Sequence, residues 1–326
     1  MKSKNKLLVI SSKYDLHADY IINKCNAIGK QDDVIRLNTE DFASNCKVVF
    51  NGNDFEIKIL DSGRTFTDSE ILSVWFRRPK KVMVDKINDE GVADFITNQS
   101  EAFLNGLYHS LLDTAKWINP IDTLQKGQHK ITQLKLAKSI GFNVPKVLIT
   151  NSVETAEFFF SQTAQVCNKS LNRPNYYLDG EFRTFYTKKV DINDFKEHHK
   201  SIELCPTFFE EYIEKAFDIR VVVIESEVFA FKIDSQSNLD SQIDFRGADA
   251  TKIIHTPYTL PSDIIEKVLK FVEASGLIYS SMDLVLSTDN EYYFIENNSN
   301  GQWLWLEYLT GVNISDSLIK CFFKSN

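Results

Sequence analysis

Two carboxylates near the C-terminus have the clearest chemical potential in this sequence. The runs Met282-Asp283-Leu284-Val285-Leu286 and Tyr292-Tyr293-Phe294-Ile295-Glu296 flank Thr288-Asp289-Asn290-Glu291, in which Asp-Asn suits a two-residue turn. Setting Thr288 opposite Glu291 and pairing back places Asp283 against Glu296, and a period of two puts Asn298 on the same face. Opposed carboxylates destabilise a ribbon unless something neutralises them. A divalent cation does so, and two carboxylates, an amide oxygen and phosphate oxygens make a set that magnesium accepts. A solvated edge hairpin, or an acid paired to Lys or Arg, fits the same pattern, and the pairing alone does not choose.

Further residues carry weaker signals. Asp218 and Arg220 share a strand face, and a guanidinium fork matches a phosphate or carboxylate bidentately. Asp244-Phe245-Arg246 repeats that spacing. Taken singly, either pair reads better as an ordinary exposed ion pair. Phe208-Phe209-Glu210-Glu211-Tyr212-Ile213 is a strand whose end could offer backbone N–H and C=O to a base edge, or could be ordinary surface. The chain has neither a Gly-x-x-x-x-Gly-Lys-Ser/Thr phosphate loop nor Gly-x-Gly-x-x-Gly, and no hydrolytic triad stands out. His198-His199 lie in a charged helix and read as solvated.

The stretch Glu296-Asn297-Asn298-Ser299-Asn300-Gly301-Gln302-Trp303 resembles the ATP-grasp superfamily. More narrowly it is similar to the peptide maturases that build graspetides, of the microviridin type. Their last strand carries Glu-x-Asn-Pro-Asn-Gly-Gln-Trp, matched here except for Ser299 in place of proline. Phe208 to Arg220 resembles the hinge of that superfamily and the Asp-x-Arg after it, and the resemblance runs over essentially the whole chain.

The resemblance implies an ATP-grasp fold, α/β (α+β) in class. An N-terminal pre-ATP-grasp domain (1–120) would precede a small central lobe (121–206) and a C-terminal lobe with the metal site (207–326). It implies ATP and two Mg2+ ions as cofactors, with Asp283, Glu296 and Asn298 as metal ligands. Arg220 would neutralise γ-phosphate and acyl-phosphate oxygens with Asp218 orienting it, and Arg246 would clamp the phosphoryl group or the acceptor carboxylate. Lys130 and Lys169 match the two lysines that hold the α- and β-phosphates, and Lys232 is a further candidate. Adenine would lie along Glu211, Tyr212 and Ile213 with Glu210 near its amine. Glu214 would take the ribose, although related ligases place that acid where this chain has Lys215.

The implied activity is ATP-dependent macrocyclisation of a ribosomal precursor peptide, made of a leader and an Asp/Glu-containing core. Side-chain carboxylates would be phosphorylated and joined to Ser/Thr (ester) or Lys (amide). A homodimer is implied too, and Trp75-Phe76-Arg77-Arg78-Pro79 would meet the acidic core. One competing reading is a carboxylate–amine ligase acting on a small metabolite or a protein C-terminus. Another is a non-catalytic nucleotide-binding partner protein, against which the intact set Lys130, Lys169, Arg220, Asp283, Glu296 and Asn298 argues.

Elements must hold these groups. The 326 residues suit two or three lobes, and 43% hydrophobic with 25% charged residues is a globular composition. A net charge of -8 argues against a general nucleic-acid binder. Five scattered cysteines fit reduced thiols in a cytosolic protein, and Leu7 to Ile10 is too short a run for a signal segment or membrane span. A β-α-β start (Lys6–Ser12, Asp15–Gly29, Asp33–Asn38) leads to a hairpin about Asn51-Gly52-Asn53, a strand ending at Pro79 and a helix over 90–115. The spacing predicts one helix over 123–140, strands over 166–170, 181–190, 207–213, 219–224 and 228–234, and a helix over 264–275. The acidic hairpin and two last helices follow. Leu171 to Glu181 is expected to be a phosphate-covering lid, although its only glycine is Gly180.

Overall fold

Lys6–Ser11 (β1) is buried on both faces, which its run of branched side chains permits. The computed structural model describes residues 4–85, 87–172 and 175–324, so Met1–Ser3 lie outside the described residues. After β1 come α1 (Leu16–Ala27), capped by the Asp15 carboxylate, then β2 (Val34–Asn38) and the short α2 (Phe42–Asn45). Next are β3 (Cys46–Phe50), β4 (Phe55–Ile59), β5 (Thr65–Thr67), β6 (Ile71–Phe76), α3 (Glu90–Leu112) and β7 (Lys116–Ile118). The chain divides into two compact units, and the first holds these elements. Its parallel sheet runs β2-β1-β6-β7, and β3-β4-β5 form a separate antiparallel sheet. Leu104, Leu107 and Leu111 of α3 share one core with Leu8, Ile10, Val74, Ile57 and Phe66.

Two later segments complete this unit, Gly276–Tyr279 and the chain from Asn313 onward. Asn119 fixes the former, donating to the Tyr279 carbonyl at 2.7 Å and accepting from Ile278 N–H at 2.7 Å and Tyr279 N–H at 2.9 Å. The latter contains the last helix, Ile314–Phe323. Its Phe322 ring lies 5.2 Å from Trp75, and Lys24 donates to Asn313, Ser315 and Asp316.

The second unit spans Gln125–Ser275 and Ser280–Val312. The single helix expected over 123–140 is two, α4 (Ile121–Gly127) and α5 (Lys130–Ile140). The break falls at Gly127, where the Gln133 side chain takes up the freed carbonyl at 2.6 Å. Then follow β8 (Val147–Thr150), α6 (Val153–Gln162), β9 (Val166–Lys169), β10 (Asn175–Leu178), β11 (Glu181–Thr184), β12 (Lys188–Val190), α7 (Ile192–His198) and β13 (Thr207–Glu211). The strand expected over 181–190 is thus β11 and β12. The expected lid is largely the β10–β11 hairpin, turning at Asp179-Gly180 with φ of 53° and 80°. Arg173 and Pro174 of that lid lie outside the described residues. β12-β9-β13-β8 form one sheet of this unit.

Its other large sheet runs β16-β15-β14-β17-β18. The strands are β14 (Lys215–Ile224), β15 (Glu227–Ile233), β16 (His255–Pro257), β17 (Tyr279–Ser287) and β18 (Tyr292–Asn298), with α8 (Ser262–Ala274) before β17. Between β15 and β16 the chain forms four short 3-10 turns, Ser235–Ser237, Leu239–Ser241, Phe245–Gly247 and Ala250–Lys252. The helices α9 (Leu304–Thr310) and α10 (Ile314–Phe323) end the chain. Phe294 of β18 packs against Phe271 of α8 at 5.1 Å and Phe142 at 5.7 Å, so that face of the sheet is helix-covered core. The opposite face carries the polar groups. Among the described residues, no helix is long and apolar enough to cross a membrane.

Candidate active site

Asp283 lies opposite Glu296, and Ser281 opposite Asn298, as the alternation predicts. The route to that register differs. Leu286 pairs with Tyr292 and Leu284 with Phe294, one step away from the expected alignment, and a bulge at Ile295 restores it before the acids meet. The strand between the two expected ligands is clamped, because Gln133 of α5 donates to the Asn297 carbonyl at 2.8 Å and accepts its N–H at 2.9 Å.

Each acid carries a cation of the protein itself. Lys130, at the start of α5, donates to one Glu296 oxygen, and Arg246 Nη1 reaches the other at 3.2 Å. Asn298 Nδ2 also donates to Glu296 at 3.2 Å. Arg220 Nε is 2.9 Å from Asp283 Oδ1, but the N–H is not aimed at it, so this buried oxygen has charge compensation without a hydrogen bond. Arg220 Nη1 donates instead to Ser281 Oγ at 2.8 Å. Burial, with Glu296 adding to it, lifts the Asp283 carboxyl to about 7 against the pull of Arg220. Burial works the same way on Glu296, yet Lys130 and Arg246 hold it well below the usual carboxylate range.

Asp218 does not orient Arg220. Its oxygens accept from Lys215 Nζ at 2.9 and 2.8 Å and from Ser235, and Lys215 also donates to the Ile243 carbonyl at 3.1 Å. Ser281 and Asp283 position Arg220 instead. Arg246 is gripped bidentately by Asp244, at 2.8 Å through Nε and 3.0 Å through Nη2. Lys232 is also misread in the sequence: it pairs with Ile219, so alternation puts it on the face opposite Arg220 and Asp218, 4.6 Å above the Phe217 ring.

Lys169 closes β9 and donates to Glu210 across the β9–β13 pair. Burial opposes the Lys169 charge, and Glu210 more than offsets it, raising the ammonium above its ordinary range. The second Glu210 oxygen is buried without a hydrogen-bond partner. Glu211 accepts the Lys146 N–H at 3.3 Å, and Glu214 accepts from Gln165 at 2.8 Å. Tyr212, Ile213 and Glu214 join β13 to β14 outside either ladder, and Lys189 lies 3.6 Å over the Tyr212 ring. In the first unit, Arg77 is buried with its Nε 3.8 Å from Asp15, so of the two arginines in the stretch expected to meet an acidic core only Arg78 is exposed.

Four supporting residues carry no role in the sequence pattern: Gln133, Ser281 and Ser235, and Lys215, which stands there only as a departure from the ribose acid of related ligases. The Gln133 signal was its place three residues into the helix after Lys130, and Ser281 stands two before Asp283.

Among the described residues, no three His, Cys, Asp or Glu side chains gather as a metal site. The donors that do converge are two carboxylates and one amide, with Asp283 Oδ1 buried and lacking a hydrogen bond. That set fits a hard cation whose remaining ligands come from phosphate or water.

Residues 6–125 match the MvdD pre-ATP grasp domain, and residues 190–322 match the RimK-like ATP-grasp domain. A tetrahydromethanopterin:alpha-L-glutamate ligase of Methanocaldococcus jannaschii is 25% identical over 212 residues, 62% of this chain and 68% of that protein. A RiPP-associated ATP-grasp ligase of Chryseobacterium gregarium, solved with ADP and a leader and core peptide, superposes with a TM-score of 0.87. It is 27% identical and covers 98% of this chain and 96% of its own. Macrocyclase MdnC of Microcystis aeruginosa, bound with precursor peptide MdnA, shares the fold at a TM-score of 0.83 and 23% identity, covering 97% and 99% of the two chains. With an MvdD pre-ATP grasp domain followed by a RimK-like ATP-grasp domain, the chain is an ATP-grasp protein and an ATP-dependent ligase, similar over nearly its whole length to RiPP ATP-grasp ligases and macrocyclases.

Proposed function

We propose that the chain cyclises a ribosomally made precursor peptide, joining Asp or Glu side chains to Ser/Thr hydroxyls or a Lys amine. The observation that carries this reading is the pair Asp283–Glu296 on one sheet face, with Arg220 and Arg246 on it. A ligase that is similar over nearly its whole length, solved with ADP and a leader and core peptide, supports a peptide over a small metabolite.

The roles follow from charge and placement. A peptide carboxylate attacks the γ-phosphorus of ATP, and ADP leaves. The hydroxyl or amine then attacks the acyl carbon, the C–O bond to phosphate breaks, and the nucleophile's proton is lost. Arg220 and Arg246 neutralise the transferring phosphoryl and acyl-phosphate oxygens. Lys130 and Lys169 hold the other phosphates as point charges. Adenine lies along Glu211–Ile213 beside Glu210, with Glu214 at the ribose. Asp218 acts through Lys215 and Ser235, holding the β14 end of the site. Asp283, Glu296 and Asn298 would hold Mg2+, two ions in the full complex, which supplies charge neutralisation at the phosphates. The working particle is a homodimer with the residue ranges 1–120, 121–206 and 207–326 as its functional lobes.

Binding requires an exchange of partners. Lys130, Lys169, Lys215, Arg220 and Arg246 face Glu210, Asp218, Asp244, Asp283 and Glu296, five cations against five acids in mutual contact. Triphosphate draws Lys130, Lys169 and the arginines off the carboxylates and frees those oxygens for the dication.

The test is to incubate the full chain, ATP and Mg2+ with the precursor peptide encoded beside its gene. Loss of one water per ring by mass, with equal release of ADP, is expected. ADP release with a small amino acid and no change in the peptide would sink the peptide reading.

A further inference from the structure

Lys215 opens β14, is buried, and has all three of its ammonium protons engaged inside the protein. Two go to the Asp218 oxygens at 2.9 and 2.8 Å, and the third goes to the Ile243 carbonyl at 3.1 Å. That last bond crosses to the segment between β15 and β16, where the chain runs as four short 3-10 turns. Three consecutive residues there are each tied to a different element. The Gln242 carbonyl accepts from the Tyr212 hydroxyl at 3.5 Å, the Ile243 carbonyl from Lys215, and the Asp244 carboxylate from the Thr187 N–H at 3.3 Å. Asp244 then grips Arg246, whose Nη1 reaches Glu296 at 3.2 Å. Of the three ties the Lys215 bond is the shortest, and its donor is charged.

A buried ion pair is a poor means of stabilising a fold, because desolvating both charges offsets their attraction and an apolar pair of similar volume does as well. What Lys215 and Asp218 add beyond an apolar pair is direction. The carboxylate, which also accepts from Ser235, fixes the ammonium, and the ammonium fixes Ile243. Ser235 begins the same segment, and its carbonyl accepts from the Ser241 hydroxyl at 2.6 Å. Both ends of the 235–243 loop therefore return to one buried pair.

We infer that Lys215 is a positioning residue for phosphoryl transfer: through the Ile243 carbonyl it sets the turn that presents Arg246 to the acidic ribbon. The inference rests on the role proposed above for Arg246 and extends it to a residue whose own donors are all taken. Without the tie, Arg246 stays on Asp244 but the two can move together. A misplacement of about 1 Å at a transferring group lowers the rate by about 100-fold.

The experiment combines Lys215→Met with Asp218→Asn in the full chain, which keeps shape and removes both charges, so no acid is left buried and unpaired. Turnover of the precursor peptide should fall by about 100-fold, with the KM for ATP little changed. In an Arg246→Ala background the same change should bring no further loss, because residues acting through one contact are not additive. Equal losses in both backgrounds would mean support of the fold alone and overturn the inference. The Arg246 Nε–H resonance, identified in an isotope-labelled sample by its absence from Arg246→Ala, gives a reading without substrate. It should shift in the paired variant, and an unshifted resonance overturns the inference. Lys215→Arg covers a paired variant that fails to fold. It keeps the charge beside Asp218 but replaces a point donor by a planar fork, so the resonance should again shift and the loss again vanish without Arg246. A wild type that leaves the peptide unchanged sinks the function proposed above, while the resonance still decides for or against Lys215.

Discussion

The Gln133 side chain is hydrogen-bonded both ways to the backbone of Asn297, the residue between the two polar ends of β18. Replacing Gln133 by Ala strands a buried N–H and carbonyl, which costs about 1–3 kcal/mol for each buried group left unmet. Gln133→Ala should lower the urea midpoint and weaken nucleotide binding together. An unchanged midpoint would mean the clamp is dispensable.

Glu296→Gln should keep the fold and abolish ATP-dependent ligation. Because Lys130 then loses its acid, metal-free ATP should bind more tightly to the variant, by about tenfold for each 1.4 kcal/mol of released attraction. In the wild type, calorimetry should show Mg2+ alone failing to bind and ATP tightening strongly when Mg2+ is present, since linkage is reciprocal. ATP binding equally well with and without Mg2+ would refute the exchange of partners.

Arg220 touches Ser281 and Asp283 from within the sheet face. Arg220→Ala should cut turnover by about 100-fold or more, the usual scale for a donor to developing charge. The Kd for ATP should move much less. A loss confined to affinity would remove Arg220 from phosphoryl transfer.

Burial, then the charge of Arg77, holds the His17 imidazole down at about 3 against the attraction of Asp15. The unfolded chain takes up this proton near 6.5, whereas the folded chain resists it. Stability is therefore full above about 6.5 and falls as pH drops from there toward 3, by at most about 1.4 kcal/mol per pH unit. Burial favours protonating Asp15 too, but Arg77 prevails and its pKa is lowered, so its contribution disappears only below the ordinary Asp range. His17→Gln should flatten the fall in the urea midpoint between pH 6.5 and 4.5. Parallel curves would exclude a neutral buried imidazole.

Gly247 approaches the Asp240 carbonyl so closely that a Cβ would lie 2.6 Å from it. Gly247→Ala must move the turn that carries Arg246, so turnover should fall with little change in melting temperature. Full activity would show that the turn adapts.

The acidic ribbon was legible because alternation and a turn signal constrain it from both ends. Its register at the acids followed from the wrong turn alignment, corrected by a bulge at Ile295 that no residue type announces. Asp179-Gly180 was a strong hairpin signal, but an expected lid displaced it. Lys232 needed the cross-strand register, which places it opposite Ile219 and not Arg220. The four 3-10 turns between Ser235 and Lys252 have no hydrophobic period, so Arg246's support by Asp244 could be read only as spacing. Ion pairs between expected ligands and expected cations are tertiary facts, which spacing alone does not contain.

The first unit is not contiguous in the chain, since it is finished by Gly276–Tyr279 and α10. During synthesis the first 124 residues emerge without the helix that meets Trp75. That sheet must therefore wait, partly uncovered, until α10 has left the ribosome. A fragment cut after Leu124 should expose this apolar surface permanently and aggregate, and supplying α10 as a separate peptide should rescue it.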